Sequence, residues 1–282
     1  MQSPQIIASD NGCGAEVTGV DLAELGALGI AALQQAVKAH LAVVVRGEAL
    51  SGGELLALGE IFGAPEPQGI SVLATQNPEL RGAHLVVSNR MPLERPTGSL
   101  GSGSDIWQSD LSYRTRPCSI AILHAHEVPS GARVSFANQY QAYETLSADL
   151  RARIQGRMLL HDESIDGNGL LRKEFEVVSD PREATGAQHC IVRTHPDTRR
   201  KALYLGRRRN AWIIGMPLEQ SEALLDELWQ HATQPALAWT HDWQAGDTLI
   251  WDNRCVLYRH NAVDSGTQPL MYRVQIRGEI PR

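Results

Sequence analysis

Trp107-Gln108-Ser109-Asp110-Leu111-Ser112-Tyr113 is the stretch on which the fold turns. Its counterpart lies far downstream, at Trp251-Asp252-Asn253-Arg254-Cys255-Val256-Leu257-Tyr258-Arg259. Trp107, Trp251 and Asn253 read as framework, and Gln108, Asp110 and Tyr258 as the polar groups the two stretches bring together. Working outward, Cys118 to His124 is the apolar run expected of a core strand. Asp247 to Trp251 and Leu270 to Ile276 read as strands on either side of the downstream stretch.

Further out, Gln5 to Val20 reads as two short strands across a turn. Gly29 to His40 carries apolar residues at helical spacing, and Leu41 to Val45 is a β-branched run fit for a buried strand. Ser51 with Glu54 forms a capping box that opens a helix running to about Phe62. His84 to Ser88 reads as a strand, and Met91 to Ser104, rich in Pro, Gly and Ser, as a surface loop placed to cover a site. The pattern then predicts one helix over Asn138 to Arg153 and a strand at Met158 to His161. Two short strands turn at Pro196-Asp197 between Ile191 and Leu205, and a helix over Ser221 to His231 presents Leu224, Leu225 and Leu228 on one face. Short strands, few helices and no βαβ alternation exclude a doubly wound parallel sheet.

Composition sets the outer limits. With 282 residues, 43% of them hydrophobic and 21% charged, the chain has ordinary globular composition. A net charge of -6 argues against general nucleic-acid binding. The basic run Arg207-Arg208-Arg209 reads first as a solvated loop and second as a phosphate or partner patch. Four scattered cysteines fit a reduced, cytoplasmic protein better than a disulfide or zinc framework. Neither a signal peptide nor an apolar run of about 18 residues is present, so the expectation is a soluble protein with no membrane partner.

The two stretches resemble the signature blocks W-H-[ST]-D and W-D-N-R-x-x-x-H of the taurine dioxygenase/TfdA family of Fe(II)- and 2-oxoglutarate-dependent dioxygenases. The resemblance extends to Gly14-Ala15-Glu16-Val17-Thr18-Gly19-Val20-Asp21-Leu22, Arg193-Thr194-His195-Pro196, Lys201-Ala202-Leu203-Tyr204 and Trp243-Gln244-Ala245-Gly246-Asp247. It implies a mainly β fold with flanking helices, a double-stranded β-helix of jelly-roll type, in one domain spanning residues 1–282. It also makes the loop around 91–104 a lid over the substrate.

The same resemblance marks departures. In the family two histidines and a carboxylate hold non-haem Fe(II); here Asp110 stands but Gln108 and Tyr258 occupy the histidine positions. A glutamine amide is a weak neutral ligand, and a tyrosine must lose a proton near pH 10 before it binds metal. The position of the arginine that pairs with 2-oxoglutarate is Pro269. The assisting threonine is replaced by Val134 in Gly131-Ala132-Arg133-Val134. Arg273 matches a second family arginine, which grips the anionic end of the substrate.

Four replacements across both cofactors read as disuse. The first expectation is therefore an enzyme that keeps the fold but needs no cofactor, running metal-independent acid/base chemistry (lyase, isomerase, cyclase or hydrolase type). Its substrate is a small anionic metabolite. Asp110 serves as base and Tyr258 as acid, with Arg273, Gln108 and His260 binding substrate. Each has a plainer reading: Asp110 as a turn cap or arginine partner, Tyr258 as filler of the metal volume with its hydroxyl on Asp110 or Gln108, Gln108 as a packing residue. His260 could lie beside the site, Arg273 could pair with Asp110, and Cys255 reads as a small core residue. Two other classes stay open. One is an atypical dioxygenase using Fe(II) and 2-oxoglutarate, with His260 or His124 as unplaced ligands. The other is a non-catalytic binding protein or silent subunit. A homo-oligomer also stays open.

Overall fold

The computed structural model describes residues 4–47, 49–66, 85–88, 105–167, 169–261 and 270–282. The loop expected at 91–104 and Pro269 lie outside them. The strands are β1 (Gln5–Ala8), β2 (Ala15–Thr18), β3 (Ala42–Val45), β4 (Leu85–Ser88), β5 (Cys118–Glu127), β6 (Arg133–Asn138), β7 (Met158–Asp162) and β8 (Gly186–Cys190). They continue as β9 (Val192–Thr194), β10 (Lys201–Leu203), β11 (Trp212–Ile213), β12 (Ala238–Asp242), β13 (Thr248–Asp252), β14 (Val256–His260) and β15 (Leu270–Arg277).

A seven-stranded sheet in the order β1-β2-β3-β13-β5-β15-β4 faces a smaller sheet in the order β12-β6-β14. Strand alternation assigns the faces. Ala121, Leu123, Trp251 and Met271 of the large sheet meet Val134, Phe136, Val256 and Tyr258 of the small one in one inner core. The alternate residues Ile120, Ile122, Ile250, Tyr272, Val274 and Ile276 point outward under two helices. This is the mainly β jelly-roll architecture with helices outside. Arg273 and Gln275, out of phase with Tyr272, Val274 and Ile276, are therefore turned inward with Met271.

The outer helices are α1 (Ala27–His40) and α2 (Gly52–Glu60). At the start of α2, Ser51 Oγ accepts from the Glu54 N–H and the Glu54 carboxylate accepts from the Ser51 N–H, the expected reciprocal cap. Leu55 and Leu58 bury against β15, and the contact is close enough that a Cβ on Gly59 would lie 2.7 Å from Val274. The single helix expected over Asn138 to Arg153 is instead two, α3 (Gln139–Glu144) and α4 (Ala148–Ile154). Asn138 caps the first, and Ser147 accepts from the Leu150 N–H to start the second. An internal cap outweighs a continuous apolar pattern there. Helix α5 (Leu218–Ala232) packs Leu224, Leu225 and Leu228 against the outer face of the small sheet, through Ala137 and Leu257. No helix among the described residues is long and apolar enough to cross a membrane.

Candidate active site in the barrel

The upstream stretch is tied to the downstream one by backbone first. Gln108 N–H donates to the Tyr258 carbonyl at 2.8 Å and Tyr258 N–H to the Gln108 carbonyl at 2.9 Å, an antiparallel bridge outside the named strands. Asn253 then clamps the next residue. Its Oδ1 accepts from the Asp110 N–H at 2.8 Å, and its Nδ2 donates to the carbonyls of Asp110 and Cys118 at 2.9 and 3.0 Å. Leu111 sits at φ 52°, a left-handed conformation that a leucine adopts only under outside restraint. The Asn253 clamp supplies that restraint and aims the Asp110 side chain into the barrel.

Asp110 is the hub. Its Oδ1 accepts from the Tyr258 hydroxyl at 2.6 Å, and its Oδ2 accepts from Gln275 Nε2 at 2.9 Å. Arg273 lies 3.5 Å from Oδ1, a long ion pair, and its own Nε is buried without a partner. Burial lowers the Arg273 pKa, but Asp110 and the phenol of Tyr258 more than offset it, so the guanidinium stays charged. Burial and then the Asp110 charge push the Tyr258 phenol well above its usual range. It is a neutral donor to a carboxylate and not a tyrosinate.

His260 shares the inner side of β14 with Tyr258, the two rings 5.6 Å apart and edge to face. Burial first, and Arg273 second, lower its pKa to about 4, with Asp110 opposing, so it is neutral at pH 7. Val134, across from His260 in the β6–β14 pairing, is fully buried and brings no hydroxyl. His124 is not part of this cavity. It lies on the outer phase of β5, accepts at Nε2 from the Leu50 N–H at 2.9 Å and meets Thr248 Oγ1 through Nδ1 at 2.8 Å. Cys255 is buried in the inner core, with its thiol pushed well above its usual range by burial and then by Asp252.

Gln108 is held by a residue the sequence reading left on the surface. Arg207 Nε donates to Gln108 Oε1 at 3.0 Å, and its NH1 donates to the Ile165 carbonyl at 2.5 Å. The backbone brings it there: Ser109 N–H donates to the Gly206 carbonyl, and Gly206 has φ 67° with the His161 ring where a Cβ would be. Of the basic run, Arg208 does face outward, paired with Glu222 and Asp226. Gln275 was also missed. Its sequence signal was its phase with Arg273 on one strand.

A second cluster, His195, Asp252 and Cys255, brings its donor atoms within 4.8 Å of one another. Its bonding is already complete. His195 Nδ1 accepts from the N–H groups of Asp197 and Thr198, which leaves the proton on Nε2 to be donated to Asp252 at 3.0 Å. Arg254 takes both Asp252 oxygens, at 2.8 and 2.7 Å. A cation there would compete with a guanidinium, so the cluster is a brace beneath the downstream stretch.

A family model described as "Taurine catabolism dioxygenase TauD, TfdA family" matches residues 5–275. The chain belongs to that family. The (S)-phenoxypropionate/alpha-ketoglutarate-dioxygenase of Sphingobium herbicidovorans is 32% identical over 273 residues, covering 94% of this chain and 92% of the relative. A taurine dioxygenase structure from Burkholderia xenovorans superposes with a TM-score of 0.78 at 27% identity, covering 99% and 91% of the two chains. The structure of AAD-2 in complex with Mn(II) and N-oxalylglycine, an amide isostere of 2-oxoglutarate, gives 0.79 at 25% identity over 99% of each chain.

These likenesses correct two expectations. Metal-independent, non-oxidative chemistry is not what the family's members do, and the expectation of no cofactor fails with it. Similar chains are named for alpha-ketoglutarate dependence, and a solved neighbour holds a metal and an oxoglutarate isostere. The expectation gave four replaced residues more weight than kinship over nearly the whole chain. As it stands, the donor set would hold ferrous iron only weakly. Both Asp110 oxygens are engaged, Gln108 Oε1 accepts from Arg207, and the Tyr258 phenol keeps its proton.

Proposed function

We propose that this chain is an atypical oxygenase of the TauD/TfdA family, acting as one unit over residues 1–282 on a small organic anion bound in the barrel. Kinship supports the oxidative class. The observation that carries the substrate class is Arg273, turned inward beside Asp110 with its Nε buried and unpartnered. A largely buried guanidinium with a donor to spare suits a carboxylate or sulfonate, which accepts two parallel N–H bonds.

The chain's own residues then divide the work of positioning. Arg273 binds the anion, Gln275 and Tyr258 hold the Asp110 carboxylate in place, and neutral His260 offers a ring nitrogen to the same space. The Tyr258–Asp110 contact keeps one proton at the phenol oxygen.

The test is 2-oxoglutarate turnover under air. Protein loaded anaerobically with Fe(II) is given 2-oxoglutarate and a panel of small carboxylates and sulfonates, and succinate is measured. Succinate formation that depends on both Fe(II) and an organic anion is expected. Iron retained after desalting should be well below one per chain and should rise in the Gln108→His/Tyr258→His double variant, since imidazole replaces an amide and a phenol. No succinate under any condition, from wild type or double variant, would overturn the oxygenase reading.

A further inference from the structure

Arg207 gives the cavity a second cationic pole. Its guanidinium lies over Gln108, within electrostatic reach of the Asp110 carboxylate and the Tyr258 phenol, and is held by two neutral acceptors, Gln108 Oε1 and the Ile165 carbonyl. Arg172 stands close enough for its charge to act on Arg207. It is stacked 4.6 Å from the Tyr113 ring centre, with its Nε buried and without a partner. Among the described residues no ion pair joins Arg172 or Arg207 to a carboxylate, whereas Arg208 beside them takes two. Arg207 and Arg273 thus both act on one carboxylate, Asp110, with Arg172 standing behind Arg207. A half-buried cation without a counter-ion is costly, and its cost is removed when a ligand brings the missing anion.

Covering loops reinforce the point. The turn at 165–167 lies over Gln108, so that a Cβ on Gly167 would come within 3.3 Å of Gln108 Oε1. Arg207 is anchored to that turn through Ile165. The second pole is therefore built into the wall and does not hang in solvent.

We propose that the cavity binds an organic dianion, one carboxylate on Arg273 and the second on the Arg207/Arg172 pole. This rests on the reading of the cavity as an anion site and extends it. The dicarboxylate has two possible sources, the 2-oxoglutarate co-substrate or a dicarboxylic substrate. Arg207 acts as a specificity residue for either.

Calorimetric titration of the full chain decides it, with butyrate, glutarate and 2-oxoglutarate as probes, on wild type, Arg207→Gln, Arg172→Gln and Arg273→Gln. Thermal unfolding confirms that each variant is folded. Wild type should bind glutarate about tenfold or more tightly than butyrate, the gain of one charge-assisted contact. Arg207→Gln or Arg172→Gln should bring glutarate down to the butyrate level and leave butyrate unchanged. Arg273→Gln should weaken both. A preference for 2-oxoglutarate over glutarate that survives without metal assigns the pole to the co-substrate; equal binding assigns it to a dicarboxylic substrate. Equal affinity for butyrate and glutarate in wild type, with Arg207→Gln indifferent to both, overturns the dianion proposal but leaves the anion site. Binding of none of the three by wild type removes the anion site itself. If Arg207→Gln fails to fold, Arg207→Lys takes its place, and a glutarate preference unchanged in both it and Arg172→Gln also overturns the proposal.

Discussion

At the residue scale, the pairing of Tyr258 with Asp110 is the contact most exposed to test. A buried carboxylate that loses a phenol donor loses a charge-assisted bond, so Tyr258→Phe should destabilise the fold by about 1–3 kcal/mol in urea unfolding. Far-ultraviolet circular dichroism should not change. Stability unaltered within error would mean that Gln275 and Arg273 satisfy Asp110 without it. Asp110 and Tyr258 were legible from the two sequence blocks, because adjacency in a known frame fixes which way they point. Arg207 was not. In sequence it is one of three consecutive arginines, and only the positive φ of Gly206 and the bond from Ser109 to the Gly206 carbonyl turn it inward while Arg208 goes to Glu222 and Asp226.

At the scale of elements, β15 serves two masters. Its inner phase carries Arg273 and Gln275, and its outer phase carries Val274 and Ile276 under α2. Gly59 is the point of closest approach, so Gly59→Ala should cost about 1–3 kcal/mol by overpacking. Since the helix presses on the strand that holds Arg273, anion affinity should weaken with it. Ser51→Ala removes only the cap and should cost about 1 kcal/mol without touching affinity. Matched loss of affinity in both variants would show general loosening and not a push on β15. Helix α2 was readable to its cap because capping is local chemistry. Strand β12 is not legible, because Ala238 to Asp242 lacks the alternation of a half-exposed strand; β6 is, since Arg133-Val134-Ser135-Phe136 alternates, and the sequence reading passed over it. The pairing of β6 with β12 on one side and β14 on the other is a tertiary fact.

At the scale of the whole molecule, buried histidines set the acid limb of stability. Burial, then His126, lowers His124 to about 4, with Asp247 opposing, and burial, then His189, drives His161 well below its ordinary value. Both are neutral in the fold and bind protons once unfolded near pH 6, so the unfolded state takes up more protons between pH 6.5 and 4. Stability should therefore be full above pH 6.5 and fall as pH drops through that window. His124 alone accounts for at most about 3 kcal/mol of the loss. In His124→Gln, urea midpoints measured from pH 8 to 4 should fall less steeply; a slope equal to wild type would remove His124 as a contributor.

The interleaving of the strands has a consequence for how the chain comes into being. Strand β5 is flanked by β13 and β15, and β6 by β12 and β14. During synthesis the segment 118–138 leaves the ribosome with both edges of both strands open. Every partner for those edges lies between residues 238 and 277, about a hundred residues later in the queue. At ordinary translation rates that is a wait of about 5–20 s, with the edge N–H and C=O groups of both strands unpaired. The edges of β5 and β6 have no early partner among the described strands, so the yield in a cell should depend on chaperones that hold an open sheet edge until the last strand arrives.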